Sequence, residues 1–582
     1  MIDRSPNLAA HLCSSRNPFI NTSRDRSLRR TARDIALLVA LCLAVYLPGL
    51  FTTPPIDRDE ARFAQASRQM LESFALPAES RDTTPFAINT DTQPGAPPVI
   101  GGFHAGGLVV PMVQNVPRLN KPPLIYWLQT ASAWVFTAGD PLHDAIWMYR
   151  VPSVLGSVLA VLATYWIGRR MFAPPVALFA ASLLAVSAVV VFDAHQARAD
   201  QVLLGLTTLS MGLLWSIVRR AKHGSHIHVA RWAALWLAVG LGVLVKGVSP
   251  VVVLLAILAM GVVGRSWFAW RASKPLLGAL IVSAIVLPWA YAVAQKVGFD
   301  TYSSILFDET VKRGSQAKEG HVGPPGYHTA FLWAMFWPGS IAALLGIVFA
   351  ARRLMRWGGK GERWRRRTPG DMRVLFLACW IMPTWLFFEF YVTKLPHYVL
   401  PTYPALALLT ARAVLTARPR LRLQRIGSAL FAVIGVGVAT FGIVLVFSME
   451  LVQPKAAFIV PSAFVMLVLV AIAARHAWRG MMLCATSCAV LAMLPLVWIV
   501  HAGVIPSLTT FSPELVERID TVNTEGRPIA AMGYHEDSLI FLSRGRIERI
   551  VHTDSVDWLA ANPDGILLAR RLYRDEVGLD HT

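Results

Sequence analysis

The chain has 582 residues, 55% of them hydrophobic and 15% charged, with 19 Trp, 27 Phe and a mean hydropathy of +0.49. A composition this apolar excludes an ordinary soluble globular domain and indicates a polytopic membrane protein. The net charge of +20 follows membrane topology, which excludes nucleic-acid binding as its reason.

In chain order, residues 1–33 read as a basic cytoplasmic tail carrying seven Arg. Apolar runs of roughly 17–25 residues, long enough to cross a bilayer as helix, then recur through an expected membrane domain at 34–503. Thirteen spans are predicted, near 35–53, 144–168, 174–193, 200–219, 230–246, 249–264, 276–295, 329–351, 374–392, 397–415, 428–449, 456–474 and 480–502. The first is followed at once by others, so it reads as a spanning helix and not as a cleaved signal peptide. Lys and Arg mark cytoplasmic loops, and with thirteen spans every basic cluster falls on one side. The densest is "RRLMRWGGKGERWRRRTPGDMR" at 352–373, with nine basic residues. On the other side, 53–143 holds eight acids against six bases and 503–582 holds thirteen against eight. The expected placement is therefore multi-pass in a membrane, with the N-terminus cytoplasmic and residues 504–582 a small α/β domain on the opposite side.

Two exported loops, about 53–143 and 296–328, are too long to be simple connectors. In the first, Ile56, Phe63, Met70, Leu71 and Phe74 recur at helical spacing and predict an amphipathic helix lying at the interface. Residues 76–107, rich in Pro, Gly, Thr and Asp, read as an irregular loop. A second short helix is predicted over 120–136, where two prolines suit its start. In the C-terminal segment "PIAAMGY", "SLIFL" and "GILLARR" read as strands. The five cysteines, Cys13, Cys42, Cys379, Cys484 and Cys488, form neither a disulfide framework nor a zinc motif.

The densest charge follows the first span directly. "DRDEAR", residues 57–62, holds three carboxylates and two arginines. Asp59 and Arg62, at i and i+3, share a helix face, with Glu60 and Arg58 beside them. Further charges fall at the same depth and on the same side: Lys121 in "NKPP", Arg198 and Asp200 in "HQARADQ", Lys246 in "LVKG" and Lys394 in "TKLPHY". One such charge ordinarily just solvates a helix end. A set of cations with a few carboxylates instead suggests a cavity for a lipid phosphate, bound by Lys and Arg. His321 and His397 read as ordinary loop histidines.

These residues also carry a resemblance. "DRDEARFAQASRQML" resembles the signature after the first helix of bacterial polyprenyl-phosphate-dependent glycosyltransferases of the GT-C class, in particular the lipid A aminoarabinose transferases and the related protein O-mannosyltransferases. "LNKPPLIYWL", "ARADQVLLG", "GVLVKG", "FDETVKRG" and "TKLPHYVLPTYPALALL" resemble later motifs of that family in order, over about 35–416. The resemblance implies a GT-C membrane fold of about thirteen helices in a bacterial inner membrane, with residues 504–582 periplasmic, a polyprenyl-phosphate sugar as donor and a lipid or glycan acceptor. It implies Asp59 as the catalytic carboxylate, and Glu60 beside it is the second expected catalytic residue. Arg62, Lys121, Arg313, Lys394 and Tyr398 would contact the donor phosphate, and Arg58, Arg198, Asp200 and Lys246 would line or support the cavity. The sequence departs from the pattern at Asn120, where relatives carry an acid. It leaves a divalent metal open and requires no cofactor. Lipid A or another envelope glycan is the first-choice acceptor, with transfer by inversion. The rivals are a protein O-mannosyltransferase-like enzyme and, in another class, a lipid or sugar transporter, which more often shows repeated halves and charges near the midplane.

Overall fold

The computed structural model describes residues 18–56, 59–75, 88–89, 99–100, 107–247, 249–265, 267–312, 322–358, 369–416, 421–450, 452–534 and 536–569. The helices are α1 Pro18–Tyr46, α2 Asp59–Ala75, α3 Leu124–Thr137, α4 Ile146–Met171, α5 Pro174–Ala185, α6 Ala188–Ala194, α7 Asp200–Lys222, α8 Val229–Val245 and α9 Ser249–Val263. There follow α10 Phe268–Ser273, α11 Pro275–Val297, α12 Phe299–Phe307, α13 Tyr327–Met335, α14 Ser340–Gly358, α15 Pro369–Phe390 and α16 Tyr403–Thr416. The last long ones are α17 Leu421–Ser448, α18 Ala456–Trp478 and α19 Met482–Val497.

Among the described residues, eight helices are long and apolar enough to cross a membrane, or nine if the bent pair α5 and α6 is one span. The chain is a multi-pass membrane protein. Each of the thirteen predicted segments contains a helix, but the helices do not establish the count of thirteen. The shortfall has local causes. α8 and the apolar part of α9 are short, and the 329–351 segment is divided between α13 and α14.

Small residues set the packing that holds the site. α4 and α7 run against each other with almost no gap: a Cβ on Gly156 would lie 2.6 Å from the backbone of Gln201 and Val202, and one on Gly205 would lie 2.7 Å from the carbonyl oxygen of Gly156. Two backbones in such contact cannot yield as a flexible side chain can. Gly156→Val is therefore expected to destabilise the protein by about 1–3 kcal/mol, lowering Tm in detergent. Gly437→Ala, with nothing within 4 Å of the added carbon, is expected to leave it unchanged or raise it slightly.

On the face of the bundle that carries the long loops, α2 and α3 pack on each other, and α2 also meets the hairpin β3 Met112–Val113 and β4 Val116–Pro117. Two further short strands, β1 Ile88–Asn89 and β2 Val99–Ile100, pair antiparallel. Phe63, Met70 and Leu71 are buried as the spacing predicts, and Phe74 is exposed. α2 is not the half-exposed interfacial helix expected. Glu60, Gln65, Ser67, Arg68, Gln69 and Ser73 are buried as well, because protein covers both its faces.

Residues 505–569 continue with α20 Ile505–Leu508, α21 Phe511–Val522, β5 Ile529–Met532, α22 Asp537–Leu542, β6 Ile547–Ile550, α23 Ser555–Ala561 and β7 Ile566–Ala569. The three strands form a parallel sheet in the order β6-β5-β7. "SLIFL" is helix α22 and not a strand. A continuous apolar run has no period to separate a buried helix from a buried strand, and Leu539, Ile540 and Phe541 are all buried.

Candidate active site

The loop after α1 is fixed by one buried ion pair. Arg150, on the first turns of α4, donates from Nε to Glu60 Oε1 at 2.8 Å and from Nη2 to Oε2 at 3.0 Å. Its remaining donors reach the carbonyls of Leu50, Thr53 and Pro54. Glu60 also accepts from the backbone of Ile56 and Ala197, each at 2.8 Å. Arg150 and Glu60 are 0% and 1% exposed at their side chains, so a fully bonded buried pair clamps three chain segments. Glu60, expected to be catalytic with Asp59, is instead buried in this clamp with both oxygens occupied, so it holds the loop in place.

Asp59, its neighbour, points the other way. Its side chain is half exposed, with Arg118 Nη2 at 3.5 Å from Oδ1 and Arg198 Nη2 at 3.4 Å from Oδ2. Desolvation alone would raise its pKa. The charges of Arg198, Arg118 and Lys121 outweigh that and hold it below the usual carboxylate value. Its place in the first turn of α2 adds in the same direction, since a helix N-terminus favours negative charge. Arg118 is fixed in turn by its bond to the Tyr126 hydroxyl at 3.0 Å and by the Phe63 ring, 4.7 Å from its guanidinium carbon.

Because its pKa is lowered, Asp59 contributes stability above the unfolded carboxyl value and loses it as pH falls through the folded one. The Tm difference between wild type and Asp59→Asn is therefore expected to hold steady from about pH 5 to 8 and to change only below about pH 4. A difference that vanished near pH 6 would contradict this.

From Asp59, Arg198 carries the network to a cavity. Arg198 lies 3.7 Å from Asp193 and 4.0 Å from Asp200. Asp200 opens α7, takes Lys246 Nζ at 2.8 Å on Oδ1 and has His397 Nε2 at 3.7 Å. Lys246 is free to reach it because α8 ends there: its backbone is extended, with Gly247 and Pro250 following. The cavity, about 280 Å3, is lined by the polar residues Lys121, Asp200, Lys246, Glu309, His397 and Tyr398 and by apolar residues that include Leu203, Val251, Trp289, Phe387, Phe388 and Leu400. Lys121 and Glu309 face each other at 3.6 Å. Two cations lining a pocket with many apolar walls suit an anionic head carried on a hydrocarbon chain.

The structure thus brings Lys121, Asp200, Lys246 and Tyr398 into one cavity, with Asp59 joined to it through Arg198. Two expected phosphate ligands lie elsewhere. Arg62 pairs with Asp537, Nε to Oδ2, at 2.6 Å. Lys394 is buried, donating to the carbonyls of Gly323 and Pro324 at 3.1 and 3.2 Å, with Glu389 at 3.7 Å. It staples the segment after 321 to the turn before α16 and does not line the cavity. Arg58, Arg313 and His321 lie outside the described residues. Sequence reasoning missed Arg118, three positions before Lys121 in "PRLNK", and passed over His397. Among the described residues, no group of three or more His, Cys, Asp or Glu converges to hold a metal.

The comparisons with known proteins bear on this arrangement. A family model described as dolichyl-phosphate-mannose-protein mannosyltransferase matches residues 120–291, the stretch that contains Lys121, Asp200 and Lys246. The chain is 27% identical over 387 residues to the undecaprenyl phosphate-alpha-4-amino-4-deoxy-L-arabinose arabinosyl transferase of Edwardsiella ictaluri, covering 65% of this chain and 58% of that protein. A Pseudomonas fluorescens counterpart is 28% identical, with 67% and 61% covered, so the chain spans about three fifths of these curated relatives. The crystal structure of ArnT from Cupriavidus metallidurans bound to undecaprenyl phosphate superposes with a TM-score of 0.67 at 19% identity, over 93% of this chain and 90% of that one. The chain is a membrane protein with the GT-C fold of that structure. In this GT-C chain, Asp59 opens α2, which packs against α3 and against the C-terminal helix α22.

Proposed function

We propose that the chain is a glycosyltransferase of the inner membrane that moves a sugar from a polyprenyl phosphate to lipid A or another envelope glycan, with inversion, on the periplasmic face. The N-terminus is then cytoplasmic, residues 34–503 form the transferase domain and residues 504–582 are periplasmic. The observation that carries this is the cavity itself: Lys121 and Lys246 line it among apolar and aromatic side chains, and Asp200, also in its lining, is linked through Arg198 to Asp59.

A sugar on polyprenyl phosphate already carries a good leaving group, so the protein's main task is to stabilise charge growing on the departing phosphate. Lys121 and Lys246 do this electrostatically, with Arg118 and Arg198 adjacent. Asp200 holds the Lys246 ammonium in place at 2.8 Å. Of the other expected phosphate ligands, Arg62 stands outside this cavity, paired with Asp537, and Arg313 lies outside the described residues.

The setting of Asp59 bears on the acceptor. A carboxylate held between two arginines, with its pKa lowered, is a weak general base. An acceptor that is already anionic, such as a lipid phosphate, needs no base, and Asp59 then orients Arg118 and Arg198 around the reacting groups. A protein acceptor is the second reading, supported by the mannosyltransferase family match. That match covers the residues assigned here to the donor, and donor recognition is common to both.

The test is transfer by the purified protein from a synthetic undecaprenyl-phosphate sugar to lipid A, with Lys246→Ala beside wild type. Loss of Lys246 is expected to lower kcat/KM on the order of 100-fold. Transfer unaffected by the substitution would remove the cavity from the reaction.

A further inference from the structure

Arg62 sits one helical turn beyond Asp59 on α2, yet the group that holds it is 475 residues away in sequence. Asp537 opens α22 and is 4% exposed at its side chain. Its Oδ2 accepts from Arg62 Nε at 2.6 Å and its Oδ1 from Arg549 Nη2 at 2.7 Å. Arg62 is 39% exposed, and among the described residues its one side-chain hydrogen bond is this bond from Nε. An arginine anchored at Nε keeps its two terminal amino groups as a planar fork, the geometry that binds two oxygens of a phosphate at once. Asp537 also lies within electrostatic reach of Arg118, the partner of Asp59.

The anchor is rigid because α22 is clamped onto α2. Arg68 of α2 donates to the carbonyl of Phe541 and stacks over its ring, 3.6 Å from guanidinium carbon to centroid. Arg68 and Arg544 both pair with the buried Asp144, at 2.6 and 2.9 Å, and Tyr149 donates to the same carboxylate. Gln114 reaches the carbonyl of Ile547 at 2.8 Å. Such a clamp fixes the Asp537 carboxylate relative to α2 before any ligand arrives, which is how a neighbouring group lowers the entropy lost on binding.

We propose that Asp537 is a positioning residue for phosphate recognition: it orients the Arg62 fork, so the C-terminal unit completes the site on α2. The ligand is a lipid-borne phosphate, carried by the polyprenyl donor or by an anionic lipid acceptor. This rests on the function proposed above and extends it to a part of the chain with no chemistry of its own.

The test is binding to the full-length protein in detergent, titrated separately with undecaprenyl phosphate and with lipid A. Wild-type binding tests the functional reading, and the ratio of variant to wild type tests the role of Asp537. Asp537→Asn is expected to weaken binding of one of the two lipids about tenfold, and to have no further effect in an Arg62→Ala background. Arg62→Lys, at a half-exposed position, is expected to weaken the same lipid similarly, because it keeps the charge and loses the fork. The lipid affected tells donor from acceptor. Tighter binding in Asp537→Asn would make Asp537 a competitor for Arg62 and overturn the proposal. So would unchanged binding in both variants, or an equal loss from Asp537→Asn with and without Arg62. A wild type that bound neither lipid would instead overturn the functional reading.

Discussion

Arg150→Met is expected to destabilise the protein by about 3–5 kcal/mol, the range for breaking a buried ion pair from one side. The substitution leaves the Glu60 carboxylate at 1% exposure without its cation, and it strips the carbonyls of Leu50, Thr53 and Pro54 of their side-chain donor. Most of the loss comes from the stranded charge. The double variant Glu60→Leu, Arg150→Met, which removes both charges, is therefore expected to recover part of it. Thermal denaturation of the single and double variants in detergent checks this. A double variant no more stable than Arg150→Met would place the origin of the loss in the loop carbonyls. Transfer should fall in the single variant as well, because Glu60 fixes the start of α2 and hence the position of Asp59.

Asp59→Asn is expected to lower kcat for sugar transfer by roughly 100- to 1,000-fold without raising the KM for the donor. The amide keeps the shape of the carboxylate and removes the charge that balances Arg118 and Arg198. Those arginines then hold an anionic donor or product at least as firmly, while their alignment in the transition state is lost. Steady-state kinetics with an undecaprenyl-phosphate sugar separate the two parameters. Turnover near wild type would take Asp59 out of the mechanism, and a raised KM at unchanged kcat would make it a binding group only.

Legibility in the sequence follows the physical range of each signal. Apolar length is local, and each predicted span holds a helix. Where Gly and Pro interrupt a run, as at Lys246 and between α13 and α14, hydropathy does not say whether one span or two short helices results. The convergence of Lys121, Asp200 and Lys246 was readable because topology puts each at a predicted helix end on the same side, whereas Tyr398 entered only through the family resemblance. Their partners were not readable. Glu60 looked equivalent to Asp59, and only the fold reveals that Arg150, 90 residues on, takes it into the core. Lys394 looked like another phosphate ligand until backbone carbonyls enclosed it, and Arg62 gave no sign of Asp537. A charged residue shows its cost in the sequence, but the group that offsets the cost is set by tertiary contact.

The most direct measurement is mass spectrometry of lipid A, other envelope glycans and exported glycoproteins from cells with the gene, without it, and carrying only Asp59→Asn. A sugar mass should be present with the wild-type gene and absent from one acceptor class in both other strains, while the polyprenyl-phosphate form of that sugar persists or accumulates. Glycans unchanged across all three strains, with polyprenyl-phosphate sugars at normal levels, would contradict a transferase and leave the cavity to a transporter.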